Sequence, residues 1–322
     1  MRFPGFRAVV LAAAALLSIA SSHAQPAPPE LKIMAPAAPG GGWDGASRGI
    51  QQVLTATGLA KSVQVINVPG AGGTVGLAQF VNNAKGDPNQ LMVNGITMVG
   101  AILTNKAPVN LDQVTPIARL TGDPLVIVVP PNSPHKTAQE LAAALKANPG
   151  RVPFAGGSAG GADHILAALF AKAAGADVTK LNYVPFSGGG EALAAMLSGR
   201  IAAGISGYGE FESQIKTGKL RALGVSTAAR IEGVDVPTLK EQGLDAEVVN
   251  WRAIMAGPAI SQDQRKALSE LVEKMVRSKE WAELLKARGW DDYYLAGEPF
   301  QGFLKEEQSR LAEVLKSVGL VR

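Results

Sequence analysis

Short apolar segments alternate with helical patterns along this chain, and no other feature limits its fold as strongly. Segments 31–35 (LKIMA), 63–67 (VQVIN) and 91–94 (LMVN) each run into a helical pattern, over 46–57, 74–82 and a shorter stretch. The second half repeats the rhythm: VPFA before 163–174, LNYV before 191–198, IAAGIS before 208–217, then LRALGVS. Strand, loop, helix, strand predicts an α/β fold whose parallel strands are covered on both faces. Beyond Ser261 the pattern turns helical. The last helix, over 299–318, has an apolar stripe at Phe303, Leu311, Leu315 and Val318 that predicts core packing.

Four of the strand-to-helix loops are rich in glycine: APGGGWDGAS, VPGAGGTVG, AGGSAGGAD and VPFSGGGEA. Gly40 to Gly72 is 32 residues, and so is Gly156 to Gly188. Shifting the first pair by 116 superposes Pro69 on Pro185, Gly73 on Gly189 and Leu77 on Leu193. Two loops in register at one offset predict two lobes built alike. Because ligands sit outside the carboxyl ends of parallel strands, such lobes would line a cleft from both sides. Segment 123–134 reads as an extended crossing into the second lobe and 247–258 as the return, which makes a two-strand hinge. The expected division is 25–128 with 250–322 as one lobe and 129–249 as the other, with 1–24 removed.

The third loop contains G-x-S-x-G, the pattern of a hydrolase nucleophile elbow, with Ser158 as its serine. That chemistry needs an acid and then a histidine later in the chain to act as base. The histidines are His23, His135 before the serine, and His164 only six residues after it, within the same helix. The order fails. A secreted hydrolase using Ser158 is the weaker alternative, and no enzyme is expected. A phosphate loop fails as well, since Gly161 is followed by Ala162 and Asp163 rather than Lys and Ser or Thr. The chain has no cysteine and its histidines are scattered, so no metal or cofactor is expected.

What remains is an anion cradle. Helix N-termini expose unpaired N–H groups and about half a positive charge, and glycine lets the backbone approach a ligand. None of the four loops contains Lys or Arg. Trp43 reads either as a cleft wall or as a core anchor. Asp44 reads as the cap of its helix or as a ligand contact, and Thr97 and Ser187 as ligand donors or caps of their own helices. Tyr208 sits at another strand end, from which it could reach across. Arg252, on the return crossing, reads as a hinge ion pair or a ligand-carboxylate contact. His164 is expected to bond its own loop, Arg48 to be solvated, and Trp281 and Trp290 to pack.

Compartment and charge narrow the partners. Arg2 and Arg7 precede an apolar run over 9–20, and Ser22 and Ala24 occupy small-residue cleavage positions before Gln25, which predicts a secretory signal over 1–24. Its removal leaves 29 basic side chains against 27 acidic, with no Lys/Arg block, so nucleic acid is not an expected partner. About 298 residues remain, enough for two domains.

At these loops the sequence resembles the receptors of tripartite tricarboxylate transporters, the TctC or Bug family. The likeness runs through APGGGWDGASR, VPGAGGTVGLAQF, GGSAGGADHI, PFSGGGEAL, SGYGEFESQIKTGKLRALGVS and PTLKEQGLDAEVVNWR. It implies a two-lobed, type II-like periplasmic binding protein that delivers a small carboxylate to a permease of one large and one small integral membrane subunit. It also implies a ligand held mainly by backbone amides, at Gly41, Gly42, Trp43, Asp44, Ala71 and Gly72 on one side and at Ser158, Ser187, Gly188 and Gly189 on the other. The tryptophan at 43 resembles the branch associated with tricarboxylates, which makes citrate the expected ligand. A dicarboxylate, an amino acid, or a sensor role at a membrane regulator stand as alternatives.

Overall fold

The computed structural model describes residues 29–186 and 189–321; the expected signal segment, Ser187 and Gly188 lie outside them. The chain runs β1 (Glu30–Ala35), α1 (Gly42–Ala56), β2 (Ser62–Asn67), α2 (Thr74–Asn83), β3 (Gln90–Gly95), α3 (Ile96–Thr104) and the long β4 (Thr115–Val129). There follow α4 (Ala138–Ala147), β5 (Phe154–Gly156), α5 (Ala162–Ala173), β6 (Tyr183–Pro185), α6 (Gly189–Leu197), β7 (Ala203–Gly207), α7 (Tyr208–Lys216) and β8 (Arg221–Val225). The chain returns through β9 (Val249–Ala256) and ends in α8 (Gln262–Val276), α9 (Lys279–Arg288), β10 (Asp291–Ala296) and α10 (Gly297–Ser317).

The strands form one sheet in the order β2-β1-β3-β9-β4-β7-β5-β6, with β8 and β10 also paired to β4. The first three are mutually parallel around β1, and β6, β5 and β7 are parallel around β5. The two halves therefore share one strand pattern, as the loop spacing predicts. The offset of 116 comes within a residue at the second loop of each half, where α2 begins at Thr74 and α6 at Gly189, but not at the first: α1 begins at Gly42 and α5 at Ala162, an offset of 120, because β1 and β5 themselves end 121 residues apart, at Ala35 and Gly156. Between the parallel triplets β9 and β4 run antiparallel to their neighbours.

β4 changes partners in mid-course. Thr115–Pro124 pairs with β9, whereas Leu125–Val128 pairs with β7, and β10 gives way to β8 on the same strand. Ser226 fastens the crossing: its hydroxyl accepts from Leu125 N–H at 3.2 Å and donates to the Val248 carbonyl at 2.6 Å. A fifteen-residue strand that is buried at nearly every position thus belongs to both halves. Its core residues, such as Ile117 and Ile127, join a hydrophobic cluster that also takes in Leu31, Ile50 and Phe80 on one side and Phe154, Leu166 and Phe170 on the other.

Side-chain alternation on β9 divides its work, since successive residues of a strand face opposite ways. Trp251 donates from Nε1 to Glu307 Oε1 on α10 at 3.0 Å and meets Phe303 edge-on. Leu311, Leu315 and Val318 are buried with it, so the predicted stripe packs as expected. Arg252 points to the other face, toward the site.

Candidate functional site

A cleft of about 430 Å³ opens where the two halves face each other, within the range of small-molecule sites. From the first half it is lined by 36–38, Gly41, Gly42, Trp43, 69–73, Thr97 and Asn105; from the second by Gly157, Ser158, Ala159, 161–163, Pro185, Phe186, Glu191, Ser206, Gly207 and Glu210. Asn250 and Arg252 come from β9. Of the residues singled out in the sequence, Gly41, Gly42, Trp43, Ala71, Gly72, Thr97 and Ser158 are brought together here. Gly189 opens α6, and Ser187 and Gly188 lie outside the described residues.

The helices that start at this cleft share a trait. α1, α2, α3, α5 and α7 each follow a glycine, which offers no capping side chain of its own, although Thr97 of α3 takes up the first amide of α5. Of the helices that start elsewhere, three differ: Thr137, Ser261 and Ser278 each accept an N–H in the first turn of α4, α8 and α9, while α10 follows Ala296 without a cap. Uncapped first-turn amides with a positive dipole end suit an anion. Gly42 has to be glycine, because a Cβ there would lie 2.7 Å from Arg252 Nη2.

Asp44 does not line the cleft. The helix expected from Ala46 starts at Gly42, so Asp44 falls in its first turn rather than at the cap, and its side chain reaches backward into its own loop. Its carboxylate, 3% exposed, accepts from Gly40 N–H at 2.8 Å, Asn67 Nδ2 at 2.9 Å and Arg48 Nε at 3.0 Å. Burial works to raise Asp44, but these three bonds outweigh it and hold the carboxyl below its ordinary range. Arg48 is accordingly paired rather than simply solvated. Tyr208 is buried in the second half's apolar cluster. Two helix residues on, about 200° around the axis, Glu210 faces the cleft instead.

Thr97 does not cap its own helix. Its hydroxyl accepts from Ala162 N–H at 3.2 Å, which joins α3 to the start of α5 across the cleft. Trp43 meets both expectations: it lines the cleft and is buried against Gly73 and Met98. His164 bonds its own loop, as expected, with Nδ1 accepting from Gly160 N–H at 3.1 Å while the ring stacks 4.1 Å from Tyr183. Burial lowers its pKa to about 4. With that nitrogen occupied, His164 makes no bond to Ser158, and the elbow lacks its base. Asp163, the next acid along the cleft, accepts from Gly157 N–H at 2.7 Å; burial pushes it up to about 7 against that bond.

The buried charge pair came from two distant crossings. Arg252 Nη2 donates to Asp123 Oδ2 at 2.6 Å, both side chains less than 5% exposed. Trp290, expected only to pack, lies over the same guanidinium at 4.9 Å. Gly207 makes room for Asp123, since a Cβ there would fall 2.5 Å from Oδ2. Burial raises Asp123 to about 6, with Arg252 pulling down and Glu210 pushing up. Asp123 and Glu210 were both missed in the sequence. The signal available for Glu210 was SGYGE at a strand end, where Ser206 stands four residues before an acid in the first turn of the next helix and bonds it.

Residues 47–320 match the family model of the tripartite tricarboxylate transporter family receptor. The protein BugT of Bordetella pertussis is 29% identical over 317 residues, 97% of this chain and 95% of that relative. The solved structure of the periplasmic binding protein BugD superposes with a TM-score of 0.81 at 23% identity, covering 91% of this chain and 98% of that one. MatC from Rhodopseudomonas palustris, solved with bound malate, gives 0.76 at 24% identity over 89% of this chain and 98% of its own. The shared fold is that of two-lobed periplasmic binding proteins, and members of the matched family are solute-binding receptors rather than enzymes. This chain belongs to the family of tripartite tricarboxylate transporter receptors.

Proposed function

We propose that the protein binds a small carboxylate in the inter-lobe cleft and delivers it, in the periplasm, to a permease of one large and one small integral subunit. One observation carries the reading: five helices start at the cleft on glycine and four of them, α1, α2, α3 and α7, have no side-chain cap, while of those that start elsewhere α4, α8 and α9 are capped by Thr or Ser and α10 is not. Orphan amides left at a helix start are costly unless something accepts from them, and a carboxylate does so with added charge assistance. Gly41, Gly42 and Trp43 with Ala71 and Gly72 form one arm of the cradle, and Ser158 faces them from the other half. Gly188, Gly189 and Ser187 complete that second arm in this reading. The lobes are taken as 25–128 with 250–322, and 129–249; the partner exchange on β4 near Pro124 supports a hinge there.

The volume accommodates citrate, but the charges favour a less anionic ligand. The ionisable residues of the lining are Asp163, Glu191, Glu210 and Arg252; Asp163, raised to about 7, is about half protonated near neutral pH, and Arg252 is already paired with Asp123. A mono- or dicarboxylate meets less repulsion there than a tricarboxylate. Thermal unfolding of the purified protein with citrate, isocitrate, tricarballylate, succinate, malate, glutarate and glutamate tests the proposal. A ligand at a hundredfold excess over its Kd adds about 2.7 kcal/mol. Absence of any shift across the panel refutes a carboxylate receptor.

A further inference from the structure

Charges on the floor of the cleft do not balance, and the imbalance has a direction. β4 and β9 pair Thr121 with Arg252 and Asp123 with Asn250, so these four side chains share one face of the sheet. Arg252 Nη1, Asp123 Oδ1 and Thr121 Oγ1 are buried and have no hydrogen-bond partner among the described residues. Arg252 is 3% exposed and lines the cleft, so its free N–H groups are set to meet an acceptor on a bound molecule.

Glu210 stands beside it. Its Oε2 accepts from Ser206 Oγ at 2.9 Å, and among the described residues no cation pairs with it, because Arg252 Nη2 is committed to Asp123. A methyl group at Gly42 would lie 2.7 Å from Arg252 Nη2 and 3.3 Å from Glu210 Oε1, so base and acid flank the first residue of α1. Acid and base thus adjoin the same amides that would hold a carboxylate. The proximity of Glu210 also adds to the rise of both Asp123 and Asp163. A metal cation is not what this surplus suits: among the described residues no three of His, Cys, Asp or Glu are placed to hold one.

We propose that Glu210 is a specificity-determining residue that selects carboxylates carrying a cationic nitrogen. The anionic end takes the amides of α1 and Arg252 Nη1, and the cationic end takes Glu210 Oε1. This rests on the carboxylate reading of the cleft and narrows it. A plain dicarboxylate fills the first half of that arrangement and leaves Glu210 facing a second negative group.

Calorimetric titration of the purified protein with two matched pairs, succinate against aspartate and glutarate against glutamate, and with malate as a hydroxyl-bearing control, tests it. We expect the amino member of at least one pair to bind tenfold tighter or more, and Glu210→Gln to narrow that ratio at least tenfold. Glu210 is exposed, so the variant should melt with the unaltered protein and show that its fold is kept. Equal or tighter binding of succinate, glutarate or malate overturns the selectivity and leaves the carboxylate receptor standing. A ratio unchanged in Glu210→Gln overturns the role of this residue. Binding of none of the five overturns the selectivity, and the carboxylate receptor falls with it when citrate, isocitrate and tricarballylate also fail to bind.

Discussion

Replacing Arg252 by Met should destabilise the protein in a way that depends on pH, and the size of the effect follows from the buried pair. The substitution keeps most of the volume and removes the one cation that, among the described residues, lies within bonding distance of Asp123, whose side chain is 2% exposed. Breaking a buried pair from one side costs about 3–5 kcal/mol, because the remaining charge is left uncompensated. Asp123 already titrates near 6 against a usual 3.8, owing first to burial, and Glu210 raises it further. Without Arg252 it should rise again, past neutrality. A carboxyl whose folded pKa is raised favours the folded state when protonated, so the variant should regain stability as the pH falls. One proton over the interval from pH 7.5 to 5 returns about 3 kcal/mol, at ~1.4 kcal/mol per unit. Urea unfolding followed by tryptophan fluorescence at several pH values measures this, and Arg252→Met with Asp123→Asn should recover most of the loss at pH 7.5. A deficit below about 1 kcal/mol, or one that is the same at pH 5 and 7.5, would refute the account of an uncompensated buried carboxylate.

Asp44→Ala removes three bonds to a buried carboxylate and should cost about 2–4 kcal/mol at pH 7. Since Asp44 is held below its ordinary 3.8, its contribution is present above that pH and fades as pH falls further; the variant should therefore approach the unaltered protein in acid unfolding curves below pH 3.8. Gly100→Ala would put a methyl group 2.0 Å from the Gly160 carbonyl, where α3 meets the loop of the opposite half. An overpacked contact of that kind costs about 1–3 kcal/mol; where the contact forms as the cleft closes on a ligand, that cost comes out of affinity, which should fall roughly tenfold to a hundredfold by calorimetry. Unchanged affinity would show that this contact is absent when ligand is held.

Periodicity served the sequence reading well where structure is local. The strands 31–35, 63–67 and 91–94 match β1, β2 and β3 within a residue at each end, and the glycine loops do lie at the strand ends facing the cleft. Helix starts were less legible: α1 begins four residues before Ala46, because Gly42 and Trp43 carry no apolar periodicity that would mark them as helical. That shift alone changes Asp44 from a cap into a brace for its loop. Tyr208 was chosen over Glu210 for a similar reason, since the aromatic residue stands out in the sequence although the helix turns it into the core.

By itself, then, the order of residues determined the alternation of strand and helix, the likeness of the two halves and the glycine turns from which amides can project, since each depends on neighbours a few residues apart. It could not decide which crossing residues meet. Asp123 and Arg252 are 129 positions apart and become a pair only because β4 and β9 lie antiparallel in a register that sets them on one face. The acid surplus around Arg252 is likewise a property of the folded sheet. Charge in the chain is a nearly even sum, and only burial and proximity turn part of it into a field with a sign at one place.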